Sequence, residues 1–141
     1  MGGVETLWDV VVELEGTAGL AGLADVLAKA GTNIDSVCCT GGPSPVTCHL
    51  LVSDGDAASA ALAAAGIPAR TREVAVCVLQ NRPGTLAAVG AALNAAGARV
   101  DFLYQATERG LVIGADELAV VRTAIASCGR LAPHAAPASH G

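Results

Sequence analysis

An internal repeat constrains the fold of this chain more than any other feature of its sequence. Residues 20–35 align without a gap on residues 86–101, so each position matches the one 66 residues later. The apolar and turn-forming positions coincide: Leu20, Leu23, Leu27, Gly31, Ile34 and Asp35 match Leu86, Val89, Leu93, Gly97, Val100 and Asp101. Because a fixed period is the signature of a repeated structural unit, we expect one unit folded twice.

Each copy is predicted to begin with a strand and a helix. The runs 8–14 and 74–80 are short and rich in valine, which is typical of strands. The apolar positions that the two copies share then recur at helical spacing. Gly31 and Gly97 follow directly, where a glycine in the left-handed conformation commonly ends a helix.

Two further strands and a second helix complete each copy. In the first copy the pattern predicts strands at 34–40, 46–52 and 67–72 and a helix at 54–65. In the second copy it predicts strands at 100–107 and 111–113, a helix at 116–128 and a remnant strand at 130–131. We expect Ser53 to cap the second helix of the first copy, since its hydroxyl can accept from a free helical amide.

This element order predicts an α+β fold of two ferredoxin-like βαββαβ units, each an antiparallel sheet with both helices on one face. The expected domains are residues 5–72 and 73–132, followed by a disordered tail at 133–141. Residues 10–12 and 74–79 are apolar on both faces of their strands. A second face of this kind needs a cover, so we expect at least a homodimer.

Composition excludes several classes of function. The net charge is -5, the eight basic residues are scattered and aromatic residues make up 2% of the chain, so nucleic acid is not an expected partner. No apolar run approaches the ~20 residues of a membrane span. The start of the chain lacks the pattern of a signal peptide, so we expect a cytoplasmic protein with no membrane partner.

The turn before the second copy's helix points to a family. The run 76–86, VCVLQNRPGTL, followed by an Ala-rich helix and AGARVD at 96–101, resembles the ACT domain, whose pattern is a strand, a Pro-Gly-x-Leu turn, a helix and Gly-Ile-Asn-Ile. The first copy matches the later part of that pattern at 31–34 (GTNI), but its own turn at 15–20 departs from Pro-Gly-x-Leu. The run 100–104 is similar to the second half of stand-alone tandem ACT proteins of bacteria.

The resemblance implies a non-catalytic regulatory protein that binds an amino acid or a similar small carboxylate where two units meet. A glycine at a helix N-terminus also lets backbone amides approach an anion. The implied ligand-binding residues are Asn81, Arg82, Gly84, Thr85 and Leu86, the equivalent Ala18, Gly19 and Leu20, and Asn33 with its counterpart Arg99. Gly84 equally fits a plain tight turn, Asn33 a backbone contact, and both arginines a solvated surface.

Other chemistry has weaker signals. A hairpin over 40–47 would place Cys39 near Cys48 and Cys38 near His49, which could offer soft metal ligands, or simply buried thiols. Five cysteines without a secretion signal do not indicate a disulfide framework. We expect no metal and no cofactor. A small enzyme, an accessory protein of a biosynthetic pathway and a structural interaction module remain alternatives; catalysis would need His49 or a cysteine beside an acidic group.

Overall fold

The computed structural model describes residues 6–42, 45–106 and 109–132. They form two compact units, a first unit from Leu7 to Arg72 and a second unit that begins at Glu73. The predicted tail at 133–141 lies outside the described residues, as do residues 43–44 of the predicted hairpin and residues 107–108, where the predicted strand 100–107 ends.

The first unit has four strands and two helices in the order βαββαβ. They are β1 (Trp8–Leu14), α1 (Gly16–Lys29), β2 (Ser36–Gly41), β3 (Val46–Val52), α2 (Gly55–Ala64) and β4 (Arg70–Glu73). The strand order in the sheet is β2-β3-β1-β4. β1 and β2 each pair with β3 in antiparallel register, with Val10 opposite Leu50 and Cys39 opposite Cys48.

The second unit repeats this arrangement with shorter strands. Its elements are β5 (Ala75–Val78), α3 (Thr85–Ala95), β6 (Phe102–Ala106), β7 (Gly110–Gly114), α4 (Leu118–Ile125) and β8 (Arg130–Leu131). The strand order β6-β7-β5-β8 is equivalent to that of the first unit. β7 pairs with β5 and β6, and β8 pairs with β5, all antiparallel. The prediction of two ferredoxin-like units with antiparallel sheets is therefore confirmed.

Each unit has its own hydrophobic core between its helices and one face of its sheet. In the first core Leu23 and Leu27 pack with side chains of β1 and β3. In the second, their repeat partners Val89 and Leu93 pack with side chains of β5 and β7. Two of the three apolar helix positions that the repeat shares thus hold the helices on the sheets, whereas the third pair, Leu20 and Leu86, is exposed.

The helix ends follow local chemistry, with one correction. Gly31 and Gly97 have positive φ angles of 75° and 68°, as a left-handed helix stop requires. The prediction that Ser53 caps α2 is wrong, because Asp54 is the N-cap and its carboxylate accepts from the Ala57 amide at 3.0 Å. Both residue types suit this position, and the helix begins one residue later than Ser53 would need.

The two-faced apolar strands have a simpler explanation than a second chain. On the strand faces turned away from the helices, Val74 and Val76 are 2% and 1% exposed within one chain, whereas Val11 is half-buried. The burial of Val74 and Val76 therefore does not require a partner, and the homodimer stays a prediction. Among the described residues, every helix is too short or too polar to cross a bilayer.

Candidate ligand-binding site

The connection between β5 and α3, residues 79–84, forms an open loop, which we call the second-unit loop. The Arg82 amide donates to the Gln80 carbonyl at 3.0 Å, and the Thr85 amide donates to the Arg82 carbonyl at 3.3 Å. Pro83 disfavours a helical conformation in Arg82, and Gly84 has a left-handed φ of 92°. Because of Pro83 and Gly84, the helix does not begin before Thr85.

A cleft of about 620 Å3 lies between this loop and the edge of the sheet. Its apolar lining includes Val78, Leu86 and Leu103, which are 37%, 59% and 42% exposed. Large apolar side chains as exposed as Leu86 and Leu103 are unusual when they lie together, and such a patch is typical of a binding surface. The polar groups along the cleft are Gln80, Asn81, Arg82, Thr85 and Gln105.

A second hollow of about 520 Å3 lies on the other side of the loop. Arg82 and Thr85 line both spaces, whereas Gly84 lines only this second hollow, with Ser127 and Cys128 among its neighbours. The predicted ligand-binding residues around this loop are therefore divided between two spaces. Asn81 and Leu86 line the cleft, and Gly84 lines the hollow. A ligand of the cleft would meet the side chain of Arg82 before it met the backbone of Gly84.

Gly84 is explained by its backbone conformation. A Cβ built there would have nothing within 4 Å, so no neighbour demands a glycine. Its φ of 92° is one that side-chain-bearing residues rarely adopt. The tight-turn interpretation thus accounts for this residue without a ligand.

The helix N-terminus still offers amides to an anion. The first helical amide, of Thr85, is engaged with the loop at 3.3 Å. Helix geometry provides no intrahelical acceptor for the next two amides, those of Leu86 and Ala87. The partial positive charge of the helix end and the guanidinium of Arg82 therefore lie beside the same cleft.

Asn33 and Arg99 lie beyond the C-terminal ends of α1 and α3. The other predicted ligand-binding residues lie at the N-terminal ends of these helices. Asn33 follows α1, is exposed and donates to the Asp35 carboxylate at 2.9 Å. Arg99 is exposed and follows α3, whose 11 residues span about 16 Å from Gly84. Within one unit, neither residue can meet a ligand held at the start of the same unit's helix.

The first unit has no loop equivalent to residues 79–84. Only Glu15 separates β1 from α1, so Ala18, Gly19 and Leu20 lie inside the first turns of the helix. A Cβ on Gly19 would be 3.3 Å from the Leu14 Cβ, so this position faces strand β1 and not an open space for a ligand. Thr17 and Ala18 stand where the second copy has Pro83 and Gly84, and nothing in them delays the helix.

Seven lining residues were not among the predicted site residues: Val78, Leu79 and Gln80 before Asn81, and four residues of β6 and β7. Leu103 and Gln105 on β6 pair with Ile113 and Leu111, and so lie on the helix-covered face of the sheet. Gly110 and Leu111 of β7 complete this side of the cleft. The alternation of Leu103 and Gln105 with the buried Tyr104 and Ala106 was the available signal, because period-two patterning assigns strand faces.

A histidine and a buried carboxylate meet in the first unit, away from the cleft. His49 Nδ1 lies 3.0 Å from Asp9 Oδ2, and Asp9 is 0% exposed. Cys38 is opposite His49 in the β2–β3 register, as the hairpin predicted. A carboxylate on one ring nitrogen orients the imidazole and sets its tautomer. In the described part of the chain, no three His, Cys, Asp or Glu side chains are grouped as a metal site would need.

Solved structures with the same fold are found at low sequence identity. Protein BT0572 from Bacteroides thetaiotaomicron is 24% identical over 92% of each chain, with a TM-score of 0.78. The ligand-free regulatory subunit of aspartate kinase from Thermus thermophilus is 20% identical over 89% of this chain and 93% of its own, with a TM-score of 0.62. The Thermus flavus regulatory subunit is also 20% identical over the same shares, with a TM-score of 0.59.

These neighbours confirm the ACT-type resemblance at the level of the fold. The match to the Thermus thermophilus regulatory subunit covers 89% of this chain, so both four-stranded sheets have an ACT-type fold. No family model matches the sequence, and no curated protein matches it either. The chemistry of the cleft is therefore what indicates the class of ligand.

Proposed function

We propose that this protein is a non-catalytic regulatory protein that binds a small apolar carboxylate, such as an amino acid, in the cleft beside the second-unit loop. The observation that carries the proposal is the juxtaposition of an arginine and a helix N-terminus with an exposed apolar wall. The regulatory subunits among the structural neighbours support a regulatory role for this fold.

The charged end of the ligand belongs near Arg82. A guanidinium matches a carboxylate in a two-pronged geometry, and the start of α3 adds a favourable partial charge. The amides of Leu86 and Ala87 are the backbone donors in reach of this position. Gln80, Asn81 and Gln105 supply amide groups for the remaining polar part of the ligand, such as an α-amino group.

The other end of the ligand is apolar in this proposal. Leu86 and Leu103 together present an apolar wall that water covers poorly, whereas Val78 borders the cleft from β5 and lies on the other face of the sheet from Leu103. Each Å2 of apolar surface removed from water stabilises a complex by about 25 cal/mol. Aliphatic amino acids and their 2-oxo acids therefore fit this cleft better than polar amino acids do.

A second copy of the chain completes the site in our proposal. Asn33 and Arg99 lie about a helix length from the start of their own unit's helix, so we place them against a ligand held by the other copy. A ligand held from both sides would tighten the interface between the two copies, and that tightening would be the regulatory signal. A homodimer remains part of this proposal.

Thermal shift tests the proposal directly. The purified chain is screened against the twenty amino acids and aliphatic 2-oxo acids. A ligand at a hundred times its dissociation constant adds about 2.7 kcal/mol, which raises the melting temperature measurably. If no carboxylate shifts the melting temperature at millimolar concentration, the proposal fails.

A catalytic alternative rests on a separate observation, the pairing of His49 with the buried Asp9 near Cys38. Such a histidine could activate a thiol as nucleophile. Turnover separates the two functions, because an enzyme consumes the compound that it binds. Loss of turnover in His49→Gln, with the ligand-induced thermal shift retained, would favour the enzyme.

A further inference from the structure

Two thiols face each other across the β2–β3 hairpin of the first unit. Cys39 lies directly opposite Cys48 in the antiparallel register, on the side of the sheet that the helices cover. The two Sγ atoms are 2.7 Å apart. A disulfide bond measures about 2.05 Å, so a small side-chain movement would join them without any change in strand pairing.

The surroundings of the two thiols differ. Cys39 is exposed at the edge strand, whereas Cys48 is 0% exposed and belongs to the first core. An oxidant in solution therefore reaches Cys39 first. Cys48 can react only with a group that is already beside it, and the sulfur of Cys39 is in that place.

We propose that Cys39 and Cys48 are a reversible redox modification site, at which a peroxide converts the two thiols into an intramolecular disulfide. This inference is independent of the ligand cleft, which lies in the other unit. It adds a covalent site to the first unit, whose helix start offers no open loop.

The chemistry needs one molecule of peroxide. The Cys39 thiol attacks one peroxide oxygen, the O–O bond breaks, and Cys39 becomes a sulfenic acid while one water leaves. The Cys48 sulfur then attacks the Cys39 sulfur, the S–O bond breaks and the second water leaves with the Cys48 proton. Two thiols lose two electrons in total, and hydrogen peroxide is reduced to two water molecules.

Burial accounts for the order of these steps. Desolvation by burial, together with the hydrogen bond that the Cys48 thiol shares with Cys39, raises the pKa of Cys48 to about 12. At neutral pH Cys48 is thus a protonated thiol, and a thiol does not attack peroxide efficiently. It acts as the resolving partner, and its proximity to Cys39 compensates for its low thiolate fraction.

The disulfide would fasten an edge strand. β2 is at the end of the sheet and pairs only with β3 among the described strands. A bond between Cys39 and Cys48 ties it covalently to its neighbour next to the hairpin turn. Opening of β2, which exposes its amides to exchange, should become slower in the oxidised protein.

Thiol counting and mass spectrometry test the proposal on the full chain. Reduced protein is treated with hydrogen peroxide, the excess is removed, and free thiols are titrated under denaturing conditions. Free thiols should fall from five to three and the intact mass by two hydrogen atoms, and dithiothreitol should restore both.

Single substitutions assign the bond. Cys39→Ala changes an exposed residue, so the chain should fold, and it should abolish the loss of two hydrogens. Cys38→Ala, its neighbour on the opposite face, is the matched control and should leave the disulfide intact. A disulfide that survives in Cys39→Ala, or its absence in the wild type, with five free thiols or only higher oxides, overturns the proposal.

Discussion

The two units share a fold but differ where the first strand turns into the first helix. In the first unit Glu15 alone connects β1 to α1, and the helix starts at Gly16. In the second unit residues 79–84 intervene, and α3 starts at Thr85. Position for position, α3 begins three residues later than α1, since Thr85 corresponds to Gly19 (85 − 66 = 19).

This difference shows how a repeat can keep its core while one connection between a strand and a helix changes. In both copies, apolar residues at equivalent positions are buried against the sheet, so the two units keep the same scaffold. Pro83 and Gly84, in place of Thr17 and Ala18, delay the helix and open a cleft beside it. Ligand binding would then belong to one copy, while the other copy keeps a closed connection.

Core truncation should give the largest effect and tests whether the scaffolds are equivalent. Leu27→Ala and Leu93→Ala alter repeat partners that are 0% and 7% exposed. Each should lower the free energy of unfolding by about 3 kcal/mol, because a large cavity forms in a packed core. Urea denaturation measures both, and a change below about 1 kcal/mol in either would show that this core contributes little.

Arg82→Gln should weaken ligand binding next. A hydrogen bond to a charged group contributes about 1.5–3 kcal/mol, so affinity for an apolar amino acid should fall roughly tenfold to a hundredfold. The comparison is with Arg70→Gln, an exposed arginine of β4 in the first unit. Isothermal titration calorimetry provides both affinities, and equal affinities for the two variants would remove Arg82 from the site.

Exchanging the turn residues should convert one copy into the other. With Pro83→Thr and Gly84→Ala, α3 should begin earlier and the cleft should close, because neither new residue opposes the helix. The reverse change, Thr17→Pro with Ala18→Gly, should delay α1. Within a helix, glycine is less favourable than alanine by about 1 kcal/mol and proline by about 3 kcal/mol, so each exchange should change the free energy of unfolding by an amount in this range.

NMR chemical shifts of residues 82–84 and 16–18 measure where each helix begins. If α3 still begins at Thr85 in the exchanged chain, the loop is determined by packing and not by its own two residues. The ligand-induced thermal shift, measured on the same variant, should disappear together with the loop.

Substitutions of the N-cap residues of α2 and α4 should have the smallest effect on stability. Asp54→Ala removes a carboxylate that accepts from the Ala57 amide, and should cost about 1 kcal/mol. Glu117 is the N-cap of α4 but makes no side-chain cap hydrogen bond. Glu117→Ala should therefore change stability by less than about 0.5 kcal/mol, as other surface substitutions do. Equal losses in thermal denaturation would mean that Glu117 stabilises α4 in another way.

The fold was largely predictable because its signals are local. β1 and β3 have the predicted bounds, and the glycine stops after both first helices lie where the repeat placed them. β5 is shorter than predicted, since residues 79 and 80 belong to the loop that Pro83 and Gly84 create. The N-cap of α2 differed by one residue, because Ser53 and Asp54 are both good caps.

The site was less predictable because it depends on side chains from distant parts of the chain. Asn81 and Arg82 of the second-unit loop, and Thr85 and Leu86 at the start of α3, were predicted from a local motif. All four line the cleft. The opposite wall is formed by β6 and β7, and only the pairing of strands places it there. The first-unit residues share the alignment but not the loop, and Thr17 and Ala18 stand where the second unit has Pro83 and Gly84.

The central claim is that the cleft of the second unit, and not the start of α1, binds the ligand. NMR titration of the full chain with L-leucine, L-isoleucine and L-valine tests it most directly. We predict that amide shifts change at residues 80–82, 84–87, 103 and 105, that Leu86→Asn abolishes these changes, and that Leu20→Asn, its repeat partner, leaves them intact. Shift changes confined to residues 15–20, or equal sensitivity to both substitutions, would contradict the account.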